Sequence, residues 1–425
     1  MTSLLLRDAT VLDESGGFTG PVDVLVVDGT VSAVGPNLRA PADVLVADFA
    51  DLFVLPGLVD AHTHPAISSL DALENLRTPI SEWALETGHN LRRTLEGGVT
   101  LIRDACVADA GMKAAVEKGF VDGPHMLISV VAIGQTGGHL DDILLGSGSE
   151  ISLAYIQPEL PGIPAWRADG ADEVRKAVRQ TLRAGADWIK LVVSGGILAA
   201  HEWPEQVQYT REEIGVAVFE AERKGRRVMV HAYGGEGLDI AVEAGVASVE
   251  HGTFLTEAQA KKMADAGCWL VPTLTMNRLL IDWAEQGTLN PAATERLLEL
   301  KPKVDECVQI AKEYGVKMAM GTDAFIRDLH GRNAAELSYL RRGGLSPEEA
   351  LLVGTINGAE LCGRADRYGR IEPGFVFDAI VLDGDPGDLS VFEEGGAVTG
   401  VFKNGTAVVR HPRLTTPRSH TVAAG

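Results

Sequence analysis

Eight short apolar segments spaced through the middle of the chain constrain its fold more than any other feature. They read LPGLVDAHTHP, VTLIRDA, MLISVVAIGQ, WIKLVVSGG, RVMVHAYGG, SVEHGTF, CWLVPTLT and KMAMGTDA. Most follow a stretch with helical spacing. ADEVRKAVRQTLRAGA ahead of Trp188 places its apolar residues three and four apart, and Thr210 with Glu213 has the capping-box pattern that opens a helix. Eight repeated strand–helix units predict a closed parallel (β/α)8 TIM barrel, whose active site lies where the strands end.

The two ends of the chain have a different texture. LLLRDATVLD, VDVLVVDGTVSAVG and ADVLVADFADLFV at the start, and FDAIVLDGD, AVTGVFKNG and TAVVRH after Arg370, alternate β-branched residues with Asp-Gly or Gly turns. Together they predict one small β-sandwich from residues 1–56 and 361–413. The catalytic barrel then covers 57–360, and 414–425, rich in Thr, Pro and Ala, reads as a flexible tail.

Charge and cysteine usage narrow the partners. A net charge of −21 repels nucleic acid phosphates and anionic lipid, so neither is an expected partner. No apolar run reaches the roughly 20 residues that span a bilayer, and Met1 to Leu6 lacks the basic start of a secretion signal. Cys106, Cys268, Cys307 and Cys362 are widely spaced and form no CxxC pair, which predicts reduced, buried thiols and a cytoplasmic location.

Residues of one chemistry gather at the strand ends. His62 and His64 flank Thr63, so the period of two sends both imidazoles to one side. Lys190 interrupts the apolar run WIKLVV, where an unpaired ammonium is expensive to bury; a neutral lysine there can react with carbon dioxide to form a carbamate, an anionic oxygen donor. His231 closes the fifth segment, His251 the sixth and Asp323 the eighth. Imidazoles, a carbamate and a carboxylate are suitable ligands for zinc and related divalent ions.

On these residues the chain resembles the amidohydrolase superfamily over essentially its full length, through HTH after PGLVDA, the strand-four lysine, HAYGG, EHGTF and GTDA. More narrowly it is similar to imidazolonepropionase-like dipeptidases, including Xaa-Pro and Xaa-Arg dipeptidases, and to ochratoxinase-like hydrolases of N-acyl amino acids, through GQTGGH, VSGG, LVPTL and HGRNAAEL. The resemblance implies two divalent ions, zinc as first expectation, with His62, His64 and Asp323 at the more buried one, His231 and His251 at the other, and carboxylated Lys190 bridging them. It also implies a homo-oligomer and a substrate contact for His139.

The expected chemistry is attack of a metal-bridging hydroxide on an amide carbonyl, with Asp323 moving the proton to the leaving nitrogen. Tyr233 shares the strand face of His231 and either donates to the oxyanion or a substrate carboxylate, or packs at the rim. Arg103 and Asp104 read as a structural pair near the rim, with carboxylate binding as the alternative, Glu250 as an outward-facing structural residue, and His330 as a loop residue outside the site. Loops 65–98, 136–168, 194–210, 276–302 and 325–345 should shape the pocket. The expected substrate is a small dipeptide or N-acyl amino acid, ochratoxin-like aromatic amides included. The alternatives are a cyclic-amide hydrolase or ring deaminase, and an inactive interaction protein on the same fold.

Overall fold

The computed structural model describes residues 3–141, 143–144, 146–150, 162–198, 202–393 and 395–414. In chain order the strands are β1 (Leu4–Leu12), β2 (Phe18–Val27), β3 (Thr30–Gly35), β4 (Leu45–Asp48), β5 (Phe53–Pro56), β6 (Leu58–Thr63), β7 (Val99–Asp104), β8 (His125–Leu127) and β9 (Ala132–Ile133). A two-stranded hairpin, β10 (Ile143–Leu144) and β11 (Ser149–Glu150), precedes β12 (Trp188–Val192), β13 (Arg227–Ala232), β14 (Ser248–His251) and β15 (Trp269–Val271). The last three are β16 (Ala379–Leu382), β17 (Val398–Lys403) and β18 (Thr406–Val409).

The two chain ends pair with each other. They form one eight-stranded sheet in the order β18-β17-β16-β5-β1-β2-β3, with β4 also paired to β1. Its β1 strand changes partner along its length, pairing first with β4 and then with β5. The inward residues Leu6, Val24, Val54, Phe377 and Phe402 pack into one apolar cluster inside the sheet. Leu414, the first residue of the expected tail, is buried in that cluster; 415–425 lie outside the described residues.

The central strands are parallel and fall into a three-stranded sheet, β6-β7-β8, and a five-stranded sheet, β9-β12-β13-β14-β15. Helices such as Ile80–Glu96, Gly170–Arg183 and Arg211–Glu222 cover their outer side, the last opened by the expected Thr210–Glu213 capping box. The two sheets are not joined into one closed sheet, and two expected strands explain why. The third is split into β8 and β9 by Val130, which has a left-handed φ of 67°. The eighth, 317–324, makes only isolated bridges, Leu270 to Met318 and Thr63 to Ala324. Gly321 and the left-handed Asp323 (φ 54°) interrupt any regular ladder there. Single backbone bonds still span both gaps: Asp187 N to Ile128 O at 2.7 Å, Leu270 N to Lys317 O at 2.9 Å and Ala61 N to Met320 O at 2.7 Å. Buried Asp60 ties β6 to this last segment by accepting from Thr322 Oγ1 at 2.6 Å and Asn333 Nδ2 at 2.7 Å.

Candidate active site

The C-terminal ends of the central strands bring every expected site residue to one cavity of about 200 Å³. His62, His64, Lys190, His231, His251 and Asp323 line it together with His139 and Tyr233. One ligand atom each from His62, His251 and Asp323 lies within 4.8 Å of the others, a group that could hold a metal ion. Asp323 Oδ1 stands 3.2 Å from His62 Nε2 and 3.0 Å from His64 Nε2. The His231 ring sits 4.6 Å from that of His251 and stacks on His139 at 4.4 Å, while Tyr233 stacks on His251 at 5.0 Å.

Two of these side chains leave the strand ends through backbone that L residues adopt only under constraint. His251 (φ 75°) and Asp323 (φ 54°) are both left-handed. Such conformations cost roughly 1–3 kcal/mol each and gather where a site needs a side chain aimed off the strand.

Burial sets the ionisation. It pushes the imidazoles of His231 and His251 well below their ordinary range and lowers the Lys190 ammonium, despite the opposing charges of Glu250 and Asp323 on the lysine. Burial also works against a charged Asp323, but bonding to His62 and the neighbouring histidines outweigh it and hold this carboxyl well below the usual value. His64 moves the other way: burial opposes protonation, and Cys106 and Asp323 overcome it. Burial pushes the Tyr233 phenol up, which keeps it a hydrogen-bond donor.

Several partners escaped the sequence reading. His62 Nδ1 meets Glu250 Oε2 at 2.7 Å, His251 Nδ1 meets Thr273 Oγ1 at 2.8 Å, and His139 Nδ1 meets buried Glu202 at 2.8 Å. Glu250 is not outward-facing. It lies fully buried on the inner side, because alternation of faces ends at His251, whose left-handed φ turns the strand. Arg103 pairs with Glu250 at 2.9 Å rather than forming a pair with Asp104. Burial raises the Asp104 carboxyl well above the usual range. His330 stays outside the cavity lining, buried with Nε2 2.8 Å from Ile67 O. Of the expected pocket loops, residues 151–161 and 199–201 lie outside the described residues, as do 142 and 145. No sequence signal pointed to Glu202 or Thr273, since both act through contacts made only after folding.

The cavity at the ends of the parallel strands thus gathers imidazoles, an amine and a carboxylate among apolar side chains, and likeness to known amidohydrolases makes the protein a hydrolase. The chain belongs to the amidohydrolase family, whose model matches residues 53–408. Membership carries the TIM barrel plus β-sandwich fold, and the family generally uses divalent metals. The chain is 31% identical over 363 residues to ochratoxinase from Aspergillus niger, covering 83% of this chain and 75% of that one. It is 28% identical to imidazolonepropionase from Salinispora tropica, over 90% of this chain and 93% of the relative. Among solved structures, a prolidase complexed with N-methylphosphonate-L-proline superposes with a TM-score of 0.89 at 32% identity, covering 96% of this chain and all of the other (100%).

Proposed function

We propose that the chain is a binuclear metal-dependent amide hydrolase that cleaves dipeptides or N-acyl amino acids, aromatic amides of the ochratoxin kind included. The observation that carries this reading is the convergence of His62, His64, Lys190, His231, His251 and Asp323 on one cavity. The donor set fits two divalent ions. Neutral His231 and His251, an ionised Asp323 and a lysine whose ammonium is disfavoured are the forms that ligate or accept carbon dioxide, whereas His64, drawn toward protonation by Cys106 and Asp323, must release its proton to ligate. His62, His64 and Asp323 would hold one ion, His231 and His251 the other, with Lys190 as carbamate between them. Zinc ions there would generate a hydroxide nucleophile from water near neutral pH and polarise an amide carbonyl.

The chain's own groups then do the positioning and proton movement. Asp323 takes a proton as the carbonyl is attacked and gives it to the leaving nitrogen. His139, held by Glu202, contacts the substrate carbonyl, and the Tyr233 phenol donates to the developing oxyanion or a substrate carboxylate. Leu70, Leu140, Leu198, Leu280 and Phe325 give the cavity an apolar wall suited to a hydrophobic acyl group or a bulky C-terminal residue. The likeness to a prolidase and an ochratoxinase supports this substrate class. The likeness to imidazolonepropionase supports a second reading, hydrolysis of a cyclic amide at the same centre. A cytoplasmic, homo-oligomeric enzyme completes the proposal; the four cysteines, all buried and free, accord with reducing surroundings.

The test incubates zinc-loaded and metal-stripped protein with a pooled library of dipeptides and N-acyl amino acids and identifies released amino acids by mass spectrometry. Metal-dependent release supports the amidase reading and names the leaving residue. Silence from protein that carries two metals per chain overturns it in favour of the cyclic-amide reading.

A further inference from the structure

Between the two central parallel sheets, next to the cavity, lies a fully buried chain of charge. Arg103 donates through Nε to Ala61 O at 2.6 Å, through Nη1 to Ser248 Oγ at 3.1 Å, and through Nη2 to both oxygens of Glu250 at 2.9 and 3.0 Å. Its guanidinium also lies 4.5 Å over the Trp188 ring. Ser248 Oγ donates to Glu250 Oε1 at 2.5 Å, and Glu250 Oε2 faces His62 Nδ1 at 2.7 Å. Arg103 and Glu250 have no exposed side-chain surface, and His62 has almost none.

A carboxylate already served by a guanidinium and a hydroxyl can only accept from its third partner. The proton on His62 therefore sits on Nδ1, and the Nε2 lone pair points to the cavity, where it stands 3.2 Å from Asp323 Oδ1. The other candidate histidine ligands meet neutral groups: His251 Nδ1 a hydroxyl, His64 Nδ1 the Cys106 sulfur at 3.5 Å, and His231 Nε2 the Gly195 carbonyl at 3.2 Å. A carboxylate on the far nitrogen fixes a ligand's tautomer and ring plane and raises its basicity more than a neutral acceptor does.

We propose that Glu250 is a positioning residue for metal binding, which locks His62 as an Nε2 donor, and that Arg103 is the counter-charge that keeps Glu250 an acceptor. This inference rests on the reading of His62 as a metal ligand. Without Arg103 the buried carboxylate would lose its compensating charge, so the pair acts as one unit.

The experiment measures zinc affinity by competition with a chromophoric chelator, and metal content by mass spectrometry, for the wild-type chain, Glu250→Ala and the isosteric Glu250→Gln. Glu250→Ala is expected to lose about 10–100-fold in affinity, with Glu250→Gln losing less because its amide oxygen still accepts from Nδ1. Cobalt-loaded protein gives a second readout, the contact-shifted, exchange-protected Nδ1 proton of His62, which Glu250→Gln should displace. If Glu250→Ala does not fold, Glu250→Gln decides. Wild-type affinity together with an unmoved Nδ1 resonance in Glu250→Gln overturns the proposal. A wild-type chain that binds no divalent metal overturns instead the reading of His62 as a ligand, so the two failures are distinct.

Discussion

Asp323 is the residue on which the proposed ligation and the proposed proton transfer both depend. Its carboxylate reaches His62 and His64 within 3.2 Å, from a left-handed backbone that aspartate tolerates better than most residues. Asp323→Asn keeps the shape and the tolerance for that backbone but removes the charge and the ability to take a proton. Circular dichroism should therefore match the wild type while kcat falls at least about 10²-fold; turnover within a few-fold of wild type would rule out the proton-transfer role. The candidate site histidines and Lys190 were legible in the sequence because they lie in or just after recognisable apolar strands and within motifs that resemble the amidohydrolase superfamily. Their partners Glu202, Glu250 and Thr273 were not, because an acceptor on a remote segment leaves no local pattern.

At the level of elements, one buried carboxylate holds the start of a helix that walls the cavity. Glu336 accepts from the Leu274 and Thr275 amides at 2.8 and 2.7 Å and from Thr275 Oγ1 at 2.6 Å, doing for the helix Leu274–Glu285 what an N-cap side chain normally does. Burial pushes its carboxyl up to about 7, against these hydrogen bonds. A carboxyl raised in the folded state binds its proton more tightly there than in the unfolded chain. Its contribution to stability is thus fully present below the unfolded value of 4.5 and is lost as pH rises through about 7. Glu336→Gln, which cannot ionise, should flatten the fall in unfolding free energy between those values, a difference on the order of 3 kcal/mol. Parallel pH series of denaturant unfolding check this, and identical slopes for the two proteins would refute it. The GRNAAEL segment was readable as a motif, but not that its glutamate caps a helix some sixty residues earlier in the chain (61 from Thr275).

For the whole molecule, metal and fold should be coupled, since the candidate ligands come from five separate segments: β6, β12, β13, β14 and the stretch around Asp323. An ion that binds only the assembled site stabilises by about 2.7 kcal/mol at a free concentration a hundredfold above its Kd. Chelation should therefore lower the melting temperature by several degrees and zinc should restore it, as differential scanning fluorimetry would read. An unchanged melting temperature would mean that no ion is held at this centre. The alternation of apolar strand segments with helices through the middle of the chain and the β-structure of its two ends were legible in the sequence alone, because apolar periodicity and turn residues act over a few neighbours. Where regularity fails was decided only by the tertiary structure. The break at Val130, the bridge-only segment around Gly321 and the inward turn of Glu250 toward Arg103 depend on packing and charge compensation between segments as far apart as 147 residues, and no local pattern encodes those.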